Sequence, residues 1–143
     1  MITGLGHAAF RIRDLQTALD FYCGKLGLRE AFRLDREGEP SPWIVYLHIA
    51  PNQFLELFPG AEGEVKPRSR AAGYNHLCLV VDDLQAAVEK LAGQGVHITS
   101  GPKQGMDGNW QAWVEDPDGN AIELMQIGPD SPQAAADQRF AAA

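Results

Sequence analysis

The sequence predicts an α+β fold made of two tandem βαβββ modules, and three observations carry that prediction. The first is a repeat: "HAAFRIRDLQTALDFY" from His7 returns as "HLCLVVDDLQAAVEKL" from His76, an offset of 69 that aligns Asp14-Leu15-Gln16 with Asp83-Leu84-Gln85. The second is a later repeat, "WIVYLHIAPNQFLELF" from Trp43 over "WQAWVEDPDGNAIELM" from Trp110, at an offset of 67. It pairs Tyr46 with Trp113 and Glu56 with Glu123. Two matches in the same order mark one internal duplication rather than an array of short repeats. The third is that each copy carries the same succession of alternating, helical and alternating apolar patterns.

In chain order, residues 5–12 alternate as a strand. Asp14 then caps a helix whose Leu15, Ala18, Leu19 and Tyr22 recur at helical spacing. The glycines of "GKLGL" are placed to end it. Three strands follow at about 29–35, 43–49 and 53–58. In the second copy a strand begins at His76, Asp83 caps the helix carrying Leu84, Ala87, Val88 and Leu91, and "AGQGV" ends it. Its remaining strands are expected at 96–99, 109–115 and 120–126. "DPDG", Asp116 to Gly119, suits a type I turn that folds the last two into a hairpin. The first module spans 1–60, a linker rich in proline, glycine and charge spans 61–73, and the second module spans 74–128. Residues 129–143 are expected to be a flexible tail, frayed or loosely helical.

Composition narrows the function. The chain has 143 residues and a net charge of −7, which disfavours a nucleic-acid partner. No basic amphipathic run suggests a membrane surface, and no stretch reaches the ~18 apolar residues of a membrane span. The first residues lack the apolar core of a secretory signal. Two cysteines, Cys23 and Cys78, make no disulfide framework at this length and suit reduced thiols in a cytoplasmic protein.

Strand parity then sorts the polar residues. Alternate residues face opposite sides, so His7, Ala9 and Arg11 share one face while Ala8, Phe10 and Ile12 share the other. His76 and Cys78 oppose Leu77 and Leu79; Glu56 opposes Leu55 and Leu57; Glu123 opposes Ile122 and Leu124. Two histidines and two glutamates therefore fall on the faces away from the helices. A buried carboxylate is costly unless its charge is compensated, and a cation that the histidines also bind would compensate both. Two imidazoles and two carboxylates suit a divalent first-row metal with positions left for substrate. Tyr46 and Trp113 share those faces, with His48 at the rim, as candidate substrate-binding residues. Cys78 reads as a small apolar residue rather than a ligand. Arg11 aligns with Val80 under the duplication, so it breaks the symmetry; its guanidinium could hold a substrate carboxylate in a bidentate manner.

Over residues 3–127 the chain resembles the vicinal oxygen chelate superfamily, which includes glyoxalase I, methylmalonyl-CoA epimerase, extradiol dioxygenases and fosfomycin or bleomycin resistance proteins. "HAAFRIRDLQTALDFYCGKLGL" resembles the family's first strand and helix, and "WVEDPDGNAIEL" resembles the endings of glyoxalases. The resemblance implies curved sheets around a metal-centred cup. The order His, Glu, His, Glu is similar to the bacterial glyoxalase I ligand set, here His7, Glu56, His76 and Glu123. It also implies a nickel, cobalt, manganese or zinc ion, with glutathione as a co-substrate that Arg11 helps hold. One departure stands against glutathione: where glyoxalase I has an asparagine shortly after the first glutamate, this chain runs Glu56-Leu57-Phe58-Pro59-Gly60.

The function expected from this resemblance is a glyoxalase I-like lyase or isomerase that moves a proton through a metal-bound enediolate on a small vicinal-oxygen substrate. Glu123 would be the principal base and Glu56 its partner on the opposite side. Two alternatives stay open: another metal-dependent epimerase or isomerase of the superfamily, and a non-catalytic resistance-type protein that sequesters a ligand. The resemblance further implies a homodimer, with each site made within one chain or shared between two.

Overall fold

The computed structural model describes residues 1–63 and 72–142. Most of the linker expected at 61–73 lies outside the described residues. The chain divides into two compact units, one of Met1–Lys66 with Asp116–Gly119, the other of Pro67–Glu115 with Asn120–Ala143.

In the first unit, strands β1 (His7–Arg11), β2 (Arg29–Leu34), β3 (Ile44–Ala50) and β4 (Gln53–Phe58) form a sheet in the order β1-β4-β3-β2. β1 pairs with β4 in parallel, and the other pairs are antiparallel. The parallel pair needs a crossover, which the intervening helix supplies. That helix, α1 (Leu15–Leu19), starts where Asp14 Oδ1 accepts from the Thr17 backbone N–H at 2.8 Å and from the Thr17 hydroxyl at 2.6 Å. It continues as a π-helical turn over Asp20–Lys25, and Gly27 at φ +81° supports the exit. β3 and β4 meet across Pro51 and Asn52, where Asn52 takes the left-handed conformation that asparagine tolerates.

The helix-facing side of this sheet is the core. Ile12, Val45, Leu47, Leu55 and Leu57 are fully buried, and Tyr22 from the π turn lies 6.5 Å from Phe10 between ring centres. Each such aliphatic side chain contributes about 1.5–3 kcal/mol relative to exposure. Tyr22 also donates its hydroxyl to Asp116 Oδ2 at 2.7 Å. Asp118 pairs with Arg13 at 3.0 Å. These contacts explain why Asp116–Gly119, the turn that the sequence assigns to the second module's hairpin, belongs with the first unit.

The second unit repeats the plan. β5 (Leu77–Val80), β6 (Ser100–Gln104), β7 (Trp110–Glu115) and β8 (Ala121–Gln126) form a sheet in the order β5-β8-β7-β6, again with one parallel pair, β5 and β8. Helix α2 (Leu84–Gly93) is capped by Asp83, whose Oδ1 accepts from the Ala86 N–H at 2.9 Å. It buries Leu84, Val88 and Leu91 against a sheet whose Ala112, Val114 and Ile122 are fully enclosed.

One strand departs from the sequence reading. The strand expected at 96–99 lies at Ser100–Gln104, because Gly101 and Pro102 are absorbed at a bulge between Ser100 and Lys103 instead of ending the strand. The tail forms a ten-residue helix, α3 (Pro132–Ala141), capped by Ser131. Its start is tied down by Asn109, a fully buried amide that accepts from the Gly128 N–H at 3.0 Å and donates to Gln133 at 3.0 Å.

Candidate functional site

Each unit places one histidine beside one buried glutamate, and the two units do so at matching positions. In the first, β1, β4, β3 and β2 align Ala9, Glu56, Tyr46 and Phe32 in one row across the sheet. In the second, β5, β8, β7 and β6 align Cys78, Glu123, Trp113 and Ser100. The duplication read from the sequence is thus repeated residue for residue in strand register.

Glu56 is 6% exposed and Glu123 is 9% exposed. His7 Nδ1 lies 3.5 Å from Glu56 Oε1, and His76 Nε2 lies 2.9 Å from Glu123 Oε2. His7 is on β1; His76 sits immediately before β5 rather than within it. The imidazoles meet the aromatic member of their own row edge-on, His7 with Tyr46 at 6.5 Å and His76 with Trp113 at 4.7 Å. Strand parity puts His7, Glu56 and Glu123 on the faces opposite Phe10, Leu57 and Leu124.

The neighbours of the two glutamates differ. Tyr46 donates its hydroxyl to Glu56, and that bond, with burial, raises the phenol above its ordinary range. At Glu123 the corresponding neighbour is Cys78, whose thiol is pushed up to about 12, first by burial and then by the nearby Glu123 carboxylate. A thiol held protonated in this way is a poor nucleophile. Trp113 turns its ring N–H to Gln111 Oε1 at 2.8 Å.

Asn75 was not singled out by the sequence. Its Oδ1 lies 2.7 Å from His76 Nδ1. With Nδ1–H donating there, Nε2 keeps its lone pair on the Glu123 side, the arrangement that suits a metal-ligating imidazole. No sequence signal beyond adjacency pointed to it.

Among the described residues, no group of three or more His, Cys, Asp or Glu side chains is gathered with metal-holding geometry. What each unit offers is one nitrogen and one oxygen donor. That chemistry fits a divalent first-row ion, provided both half-sets contribute.

The remaining residues of the first unit's open face are aromatic or cationic. Arg11 is exposed and places its guanidinium 5.7 Å from the Phe58 ring centre. Trp43 meets Phe58 edge-on at 5.9 Å. His48, half-buried, meets Phe54 edge-on at 5.5 Å. No helix of the described residues is long and apolar enough to cross a membrane.

Comparison with known proteins gives one consistent result. Residues 4–124 match the family model of the Glyoxalase/Bleomycin resistance protein/Dioxygenase superfamily. A lactoylglutathione lyase of Neisseria meningitidis is 34% identical over 132 residues, covering 87% of this chain and 93% of the relative. A 2-epi-5-epi-valiolone epimerase of an Actinomyces species is 29% identical, covering 88% of this chain and 80% of the relative. Among solved structures, a member of the same superfamily from Sphaerobacter thermophilus superposes with a TM-score of 0.69 at 26% identity, covering 88% of this chain and 98% of that one.

Proposed function

Because the chain belongs to the Glyoxalase/Bleomycin resistance protein/Dioxygenase superfamily, we propose that it is a metal-dependent lyase or isomerase of the glyoxalase I type. The observation that carries this reading is the matched pair of buried glutamates, each beside an imidazole at the same register position in its own copy. His7 and Glu56 would supply one half of the donor set and His76 and Glu123 the other. When bound, a divalent ion would act as a Lewis acid toward two vicinal substrate oxygens and acidify the adjacent C–H.

The proton work then falls to this chain. Glu123 takes the proton as general base and, now protonated, returns it to the neighbouring carbon, with Glu56 as its partner on the opposite side. Asn75 holds the His76 ring in the tautomer that leaves Nε2 available. The Tyr46 hydroxyl donates to Glu56 and holds that carboxylate in place. Arg11 is placed to meet an anionic end of the substrate.

A second reading, an epimerase or isomerase of a substrate other than a glutathione adduct, is favoured by one specific feature. The residue after Glu56, Leu57, is fully buried, and the Phe58 ring is engaged by Trp43 and Arg11, so no amide stands there to bind the tripeptide. In that case the proton would return to the carbon it left.

The experiment is elemental analysis of protein purified without chelator, paired with a methylglyoxal-plus-glutathione assay in Ni²⁺, Co²⁺, Mn²⁺ or Zn²⁺. Bound metal with turnover supports the lyase. Metal without that turnover, but with substrate-dependent deuterium exchange from solvent, supports the epimerase. In either case Glu123→Gln should lower the rate by about 10²–10⁴-fold. Absence of metal under every condition removes both readings.

A further inference from the structure

The aromatic residue opposite each glutamate serves a different donor in the two copies. Tyr46 and Trp113 hold the same register position, directly across from Glu56 and Glu123 on the neighbouring strand. In the first unit the aromatic side chain serves the carboxylate: the Tyr46 hydroxyl donates to Glu56, and its ring stays 6.5 Å from that of His7. The His7 side chain is 52% exposed, with Nδ1 3.5 Å from Glu56. In the second unit the aromatic side chain lies against the imidazole. Trp113 and His76 have ring centres 4.7 Å apart and planes at 71°, and the His76 side chain is 29% exposed.

The indole is itself held. Its N–H donates to Gln111 Oε1 at 2.8 Å. Gln111 precedes Trp113 by two residues on β7, so both side chains rise from one face of the strand. The Gln111 amide in turn lies against Gly105, where an added Cβ would collide with the amide nitrogen. Gly105 does not take the left-handed conformation that favours glycine, so what it contributes at this point is room for the amide. At the offset of 67 the first copy has Ile44 where Gln111 stands, a residue with no acceptor to offer its aromatic neighbour.

We propose that Trp113 is a positioning residue for His76: locked by Gln111, its indole keeps the imidazole from turning away from Glu123. Both ring nitrogens are already engaged, Nδ1 at 2.7 Å from Asn75 Oδ1 and Nε2 at 2.9 Å from Glu123 Oε2, and the indole bounds the ring beside them. The consequence for a metal rests on the reading of His76 as a ligand. A ligand oriented by its neighbours loses less freedom on binding, and loss of such a neighbour typically costs about 10–100-fold in metal affinity. The two half-sets are then unequal, the first fixing its carboxylate through Tyr46 and the second its imidazole through Trp113.

Four variants test this. Gln111→Leu removes the acceptor, Trp113→Phe keeps a ring without the N–H, and a third combines the two. Gly105→Ala displaces the Gln111 amide without altering either ring. The imidazole carbon and proton resonances of His76, assigned by their loss in His76→Gln, are followed in chelated protein. The indole ring current should displace them in wild type from the positions of a solvent-exposed histidine, and each variant should move them back. Co²⁺ affinity is then measured by chelator competition. Each single variant should weaken it about tenfold, and the double variant no more than either, because all interrupt one chain of contacts.

Resonances that keep their wild-type positions in Gln111→Leu and Gly105→Ala overturn the proposal. So does a double variant whose loss is the product of the two single losses, since indole and amide would then act separately. Resonances that respond to the variants in a protein that takes up no Co²⁺ support the positioning role and remove the metal reading. Tight Co²⁺ binding, with resonances and affinity indifferent to every variant, does the reverse.

Discussion

Tyr22 and Asp116 show how much one hydrogen bond can carry at the scale of a residue. The phenol donates to a carboxylate that is itself buried, 2.7 Å away and 94 positions along the chain. Removing the hydroxyl in Tyr22→Phe deprives a buried charge of one donor and should cost about 1–3 kcal/mol, read as a lower urea midpoint with an unchanged slope. Sequence reading treated Asp116 only as the first residue of a turn, since nothing local distinguishes a turn aspartate from a buried acceptor. By contrast Glu56 and Glu123 were legible, because each interrupts a run of apolar strand residues and parity fixes its side. Phe32 was illegible for a related reason: parity assumes regular alternation, and a bulge breaks it.

Strand β6 carries the lesson at the scale of an element. Glycine followed by proline reads as punctuation, yet Gly101 and Pro102 lie inside the strand. Gly101 is needed there twice over. Its φ of +86° is unfavourable for any side chain, and an added Cβ would come within 2.5 Å of the Gln111 carbonyl oxygen. Gly101→Ala should therefore destabilise by about 2 kcal/mol or more, a loss that thermal unfolding would register as a lower Tm. Helices were easier to find, because the Asp14 and Asp83 caps and the apolar spacing are local signals. The π-helical turn after Leu19 was not foreseen; its wider spacing buries Phe21 beside the expected Tyr22.

At the scale of the whole molecule the duplication is the governing fact. Two sheets of the same strand order carry the same row, and on the proposed function each would supply only half of a metal's donor set. Neither half should bind alone. Metal at a hundredfold over its Kd would stabilise the wild type by about 2.7 kcal/mol, seen as a Tm that falls on adding chelator. His7→Ala and His76→Ala should each abolish that fall by themselves. A variant that keeps the full chelator response would show that its histidine is no ligand. The offsets of 69 and 67 made this plan readable from the chain alone, whereas the asymmetric additions to it, Phe32 and the α3 helix, have no partner copy to reveal them.

The Asn109 anchor ties the C-terminal helix to the second sheet by a device that the first copy lacks at the matching position. At the offset of 67 the first copy has Pro42 in that place, a residue with no side-chain amide to offer. The enclosed asparagine and the helix start it holds therefore have no amide anchor to match them in the first copy. They are also bound to a common fate. Losing the helix would strand the amide, and losing the amide would leave Gly128 and Gln133 without this partner, so the two stand or fall together.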